Sequence, residues 1–246
     1  MGDIIIKEST FNFYFYTLFG VPYYHAKNIS EDDKLMLCAH RAYADLRRTI
    51  DYSKSSSWLD ANKNTKNAKD FIILKTNFKN EARNCIVKYL KELLFCTSAN
   101  IFDNLHSNCC NEIISIAKDK PGLIKDGKSF TYGHAQKWVN MTLKYMDITG
   151  FWDERLCLLR KYMHLPVDNY ILKAASDKGL KLPRINGESG KYSESATEKW
   201  SNWNDNDYLS FIRNLKLSEK NLPKWEEDNW IEIAWEQSAM NPKNRR

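Results

Sequence analysis

The sequence predicts a mainly α, multi-helical protein, and three observations carry that expectation. Apolar residues at helical spacing recur along most of the chain, stretches with the alternation of a half-buried strand are few, and breaker-rich segments separate the periodic ones. With 246 residues the chain can bury a sizeable core as a single compact unit spanning 1–246.

Taken in order, the opening "IIIKESTFNFYFYTLFGVPYY" is β-branched and aromatic without clear helical period, and reads as a strand or a buried extended arm. From Ser30 a helix begins, with a capping-box-like Ser30 to Asp33 spacing and an apolar stripe of Leu35, Cys38, Ala39, Ala42 and Leu46. The polar "SKSSSWLDANKNTKNAKD" reads as a loop, and "FIILKTNF" as a short strand or the lead-in to the next helix. Helical period returns in "KNEARNCIVKYLKELLFCTS" and "NIFDNLHSNCCNEIISIAK", and "DKPGLIKDG" is a turn. Further helices are expected at "YGHAQKWVNMTLKYM", at "FWDERLCLLRKYM", and after Pro166 in "LPVDNYILKAA". Residues 184–206 read as a long surface loop. Two late helices, "NDYLSFIRNLKL" and "PKWEEDNWIEIAWEQSAM", close the chain, with Trp225, Ile231, Ala234 and Trp235 facing inward, for about eight helices in all.

Composition narrows the function classes. Lys and Arg number 37 against 31 Asp and Glu, for a net charge of +6, which permits a polyanionic partner without requiring one. Eight Trp, 13 Tyr and 11 Phe must fill a core or offer stacking surfaces. The six cysteines form no CxxC pair and no zinc-like spacing, and four fall on helix faces as small hydrophobes, which points to a reducing cytoplasmic compartment, nucleoid-associated in a prokaryote. No basic stretch followed by an apolar one opens the chain, and no long apolar run predicts a membrane span. The histidines His40, His106, His134 and His164 match no compact ligand motif, and no GxSxG elbow occurs, so neither a metal nor a cofactor is expected.

The densest stretch is 132–146. A turn holding Gly133 and Ala135 before a helix exposes backbone N–H groups, and the helix dipole adds partial positive charge, a geometry that binds phosphate. Lys137 follows on the first turn and Asn140 one turn later. Further along, Asp168 stands after Pro166 and Val167, where it caps a new helix. Taken alone, Lys137 reads as a solvated helix residue and Asp168 as an ordinary cap.

Together these two segments resemble the helix-hairpin-helix DNA glycosylases, the superfamily of endonuclease III and 8-oxoguanine glycosylase. In that family a G-x-G-x-K hairpin begins a helix and a later Val-Asp pair begins another; here Gly133, His134, Ala135, Gln136 and Lys137 stand at the hairpin and "PVDNYI" at the Val-Asp segment. The resemblance implies two interdigitated helical subdomains, with the hairpin and the catalytic helix starts near 130–176. It makes Lys137 the nucleophile, Asp168 the catalytic carboxylate, and Gly133, His134, Ala135, Gln136 and Asn140 the DNA contacts. The implied partner is double-stranded DNA carrying a damaged or modified base, which is flipped out and cleaved at its N-glycosidic bond, with possible lyase activity; no membrane and no obligate protein partner is implied. The sequence departs from the pattern at Ala135, where the family has its second glycine, and in a longer stretch between lysine and aspartate that places an insertion around "DITGFWDERLC". No four-cysteine cluster follows Asp168, so an iron–sulfur site is not implied. The alternative is a non-enzymatic helical module that uses the same hairpin to grip nucleic-acid phosphates or a protein partner.

Overall fold

The structure, a computed structural model, describes residues 8–177 and 199–218. Among the described residues there are ten α-helices and no strand; one isolated antiparallel bridge joins Tyr52 to Ile124. The mainly α expectation holds, and the departures from it are local.

The aromatic opening is helical where a strand or arm was expected, with α1 at Glu8–Phe19 and the short α2 at Tyr23–Ala26. Phe11, Phe15 and Phe19 stand four residues apart, so a helix puts all three rings on one face. Phe15 stacks on Phe19 at 4.5 Å and meets the edge of Tyr23 at 5.1 Å. That shared face outweighs the β preference of the individual residues.

The helix α3, Glu31–Leu46, begins as predicted: the Ser30 hydroxyl oxygen accepts the Asp33 N–H, and the whole stripe from Leu35 to Leu46 is buried. A short α4, Ser56–Ala61, lies inside the expected loop, capped by Ser55. Of the two readings of 71–78, a short strand or the lead-in to the next helix, the structure has the helix: the segment belongs to α5, Lys66–Glu92, a 27-residue helix whose first turn is capped by Thr65. Phe71, Phe78, Ala82 and Cys85 face the core from α5 while Ile72 and Ile73 stand in solvent, so the β-branched pair marks the outer face of a helix. Next come α6, Ala99–Lys118, capped by Ser98, and α7, Tyr132–Thr149. After α8, Asp153–Leu159, follows α9, Asn169–Asp177. A 3-10 turn at Trp200–Asn202 and α10, Asp205–Ser218, complete the described chain. Most of the expected loop 184–206 and the expected helix 223–240, with Trp225, Ile231, Ala234 and Trp235, lie outside the described residues. The described end of that loop is the 3-10 turn, and Trp200 in it is buried.

The helix α7 is the axis of the molecule. It packs on α3, α6, α10 and the 3-10 turn, and every residue from Tyr132 to Asn140 is buried. Small side chains on α3, namely Cys38, Ala39 and Ala42, let the two backbones approach. Trp138 fills the space between them, fully buried, with its indole N–H donated to the Ala39 carbonyl at 2.8 Å. Burying a ring of that size removes apolar area that stabilises by about 2–3 kcal/mol, and the bonded indole N–H avoids the penalty of a stranded donor. Buried side chains from every helix but α4 form one connected cluster. All six cysteines are free. Among the described residues no helix is long and apolar enough to cross a membrane, and no group of three or more His, Cys, Asp or Glu side chains is placed to hold a metal ion.

Candidate active site

The start of α7 is built as a capping box in which His134 takes the place usually held by Glu or Gln. The Thr131 hydroxyl oxygen accepts the His134 N–H, and His134 Nδ1 accepts the Thr131 N–H at 3.2 Å. Its Nε2 faces the Thr49 carbonyl at 3.0 Å, which fixes the neutral tautomer with the proton on Nε2. Burial is the main cause that lowers the His134 pKa below the ordinary 6.5, against the Thr49 carbonyl, which raises it. The unfolded chain therefore takes up this proton more readily than the folded one. His134 costs nothing above pH 6.5, and stability falls as pH drops through that value. In acid titrations followed by circular dichroism, His134→Gln is expected to weaken that loss.

The expected phosphate-gripping turn has a different structure. Gly133 lies within the first turn of α7, and residues 119–131 connect it to α6 in place of a tight hairpin. The backbone donors at this end are already taken: Gly133 N–H goes to the Trp203 carbonyl at 3.1 Å, His134 N–H to Thr131 Oγ1, and Ala135 N–H to the Thr131 carbonyl. A methyl group on Gly133 would lie 1.9 Å from the Trp200 carbonyl oxygen. Glycine stands here because the backbone of the 3-10 turn lies directly on the helix.

Gln136 and Asn140, expected to contact DNA, are fully buried and hold the protein's own backbone. The Gln136 amide spans Val167, donating to its carbonyl at 2.9 Å and accepting its N–H at 3.1 Å. The Asn140 amide nitrogen reaches the Leu165 carbonyl at 3.1 Å and the Tyr208 hydroxyl at 2.8 Å. Its oxygen accepts from His106 Nε2 at 3.1 Å. The Tyr208 hydroxyl in turn meets His164 Nδ1 at 3.0 Å, and His164 Nε2 meets the Asp103 carboxylate at 2.9 Å. This network fixes residues 165–167, and with them the position of the next residue, Asp168.

Lys137 and Asp168, separated by 31 positions in sequence, meet. Lys137 Nζ donates to Asp168 Oδ2 at 3.0 Å, with side-chain exposures of 11% and 19%. The other oxygen of Asp168 caps α9, accepting the N–H groups of Tyr170 at 3.0 Å and Ile171 at 3.3 Å. Capping and pairing thus coexist, one on each oxygen. The Lys137 ammonium also lies over the face of Trp200, 4.9 Å from the ring centre. Seven residues, about two turns, along α7, Lys144 is near enough to feel both members of the pair: burial lowers its pKa below 10.5, and Asp168 and Asp45 pull it back up.

Trp200, His106, His164, Tyr208 and Asp103 were not singled out as a group by the sequence. Trp200 sits in a segment that reads as loop, and the histidines, His106 on α6 and His164 in the connection between α8 and α9, lie far apart in sequence with no sign that they converge. No protein-family model matches the chain, and neither a curated protein nor a solved structure matches it.

Proposed function

We propose that this chain is a base-excision DNA glycosylase of the helix-hairpin-helix type, with Lys137 as nucleophile and Asp168 as the carboxylate that activates it. The observation that carries the reading is the 3.0 Å contact between Lys137 and Asp168, both mostly shielded from water, with the ammonium over the face of Trp200. An amine attacks only through a free lone pair, so its ammonium must first pass a proton to a base within hydrogen-bond reach. Asp168 is such a base. Attack of Nζ on the sugar C1′ then expels the base with the electron pair of the N-glycosidic bond, and the base takes up the proton held by Asp168. The C1′–O4′ bond then breaks, with one Nζ proton passing to O4′, to leave a protonated Schiff base between lysine and the opened sugar. Trp200, buried beneath the amine, holds the ammonium by its ring face. The two interdigitated subdomains and the duplex substrate with a damaged or modified base belong to this reading.

The departures from the family's hairpin bear on how DNA is held. With the Gly133, His134 and Ala135 N–H groups spent inside the protein, phosphates must be gripped elsewhere. The same fact removes the device on which a purely gripping, non-enzymatic hairpin would depend.

The test is borohydride trapping on duplex oligonucleotides carrying damaged bases, modified bases or an abasic site. Wild-type protein is expected to give a covalent adduct, and Lys137→Ala none. An adduct formed equally by Lys137→Ala, or no adduct and no base release on any duplex, overturns the proposal.

A further inference from the structure

A second feature of the molecule is a row of cations with no carboxylate to answer it. On α5, Lys75, Lys79 and Arg83 recur every four residues, so they share one helix face. Arg47, at the end of α3, stands opposite them: it helps to lower the pKa of Lys75, Lys79 and His40, which burial lowers first. Arg83 donates to His40 Nδ1 at 2.9 Å, which ties the two helices together. Among the described residues, none of Arg47, Lys75, Lys79 and Arg83 forms an ion pair with a carboxylate, although Lys91 and Lys120, elsewhere on the surface, pair with Asp32 and Glu81.

The cations are also held in place. Lys75 lies over the ring of Tyr52, 4.2 Å from its centre, and Lys79 over that of Tyr43 at 5.8 Å. The two tyrosine hydroxyls bond to each other at 2.8 Å. Arg83 is fixed by the Lys79 carbonyl at 3.2 Å and by Asn80. Crowding like charges raises the energy of the free protein, and an arriving polyanion relieves it. Preordered side chains also lose less entropy on binding.

We propose that this α3–α5 face binds the phosphate backbone of double-stranded nucleic acid. Lys75 to Arg83 spans eight residues, about 12 Å at a rise of about 1.5 Å per residue. A duplex carries one charge per ~1.7 Å of axis, so about seven phosphates lie along that length. The rings beneath the row are used up: Tyr43 is buried and Tyr52 is covered by Lys75, so the face offers no free ring on which unpaired bases stack. It fits backbone phosphates, in place of the hairpin N–H groups that are already occupied. The inference stands apart from the chemistry of Lys137, since the row needs only phosphates.

The experiment is fluorescence anisotropy with an unmodified duplex, a single strand of the same length, and polyglutamate of equal charge, titrated at several salt concentrations. Four phosphate contacts predict a slope of log K against log salt of about −3.6 on the duplex. Lys75→Glu with Lys79→Glu is expected to weaken duplex binding at least tenfold and to flatten the slope by about 2 or more. The milder Lys79→Gln and Arg83→Gln variants, checked for native circular dichroism, should each flatten it by about 1. Lys91→Gln, at a lysine elsewhere on the surface that is paired with Asp32, leaves the slope unchanged on this proposal, and because trapping is read separately, loss of trapping and loss of binding are distinct outcomes. Unchanged affinity in the charge variants, equal binding of polyglutamate, preference for the single strand, or no duplex binding at low salt each overturns it.

Discussion

Asn140→Leu is expected to destabilise the protein by about 1–3 kcal/mol, measured as a lowered midpoint in urea at unchanged slope. Leucine nearly matches asparagine in size, so the loss is chemical and not a cavity. Asn140 is 1% exposed and no water can replace it. One group loses its partner outright: the Leu165 carbonyl, which accepts from the Asn140 amide. A buried donor or acceptor left unmade costs about 1–3 kcal/mol, which sets the range. Tyr208 keeps His164, and Gln136 keeps Val167, so the damage concentrates on the 165–167 segment. Because that segment delivers Asp168, hydrogen exchange at the Tyr170 and Ile171 amides should accelerate in the variant. A loss below about 1 kcal/mol, with no faster exchange there, would show that the network does not hold the segment.

Gly133→Ala is the second large effect, and its sign is what matters. At an ordinary helix position this change stabilises by about 0.8–1 kcal/mol, since alanine is the better helix former. Here the new methyl carbon would lie 1.9 Å from the Trp200 carbonyl oxygen, 2.9 Å from its carbon and 3.1 Å from the Ser201 Cα. These are all backbone atoms, so no rotamer change relieves the overlap and the 3-10 turn must lift. Overpacking of this kind costs about 1–3 kcal/mol, and each hydrogen bond lost with the turn adds about 0.5–1.5 kcal/mol. The Gly133 to Trp203 bond and the Thr131 to Ser201 bond are the ones at risk. A lowered melting temperature is expected, with a change in tryptophan emission as Trp200 leaves Lys137. A variant that melts higher than wild type would place the 3-10 turn elsewhere.

Which parts of this arrangement the residues announce can be argued case by case. Ser30 with Asp33, and the stripe from Leu35 to Leu46, name α3 because both signals act within one or two turns of a helix. The "FIILKTNF" run reads two ways because β-branched residues side by side look like a strand, while Phe71 and Phe78 seven apart carry the helical face that tertiary packing selects. At α1 the same conflict arises, and again the i, i+4 rings decide. For the candidate site, the pairing of Lys137 with Asp168 follows from the motif. The role of Gly133, Gln136 and Asn140 does not, because a polar residue near a helix start looks the same whether it faces a ligand or a neighbouring backbone.

By itself the sequence determined the local features of this protein: the α class, the capped starts of α3 and α9, and a lysine near the start of one helix with an aspartate at the start of another. Each depends on residues within a turn or two of one another. Only the tertiary structure decided what those features face. The 3-10 turn lying on Gly133 spends the helix-start N–H groups, the 165–167 segment claims Gln136 and Asn140, and α3 set against α5 gathers Arg47 with Lys75, Lys79 and Arg83. These meetings join residues tens of positions apart, and packing energy, not local propensity, selects them.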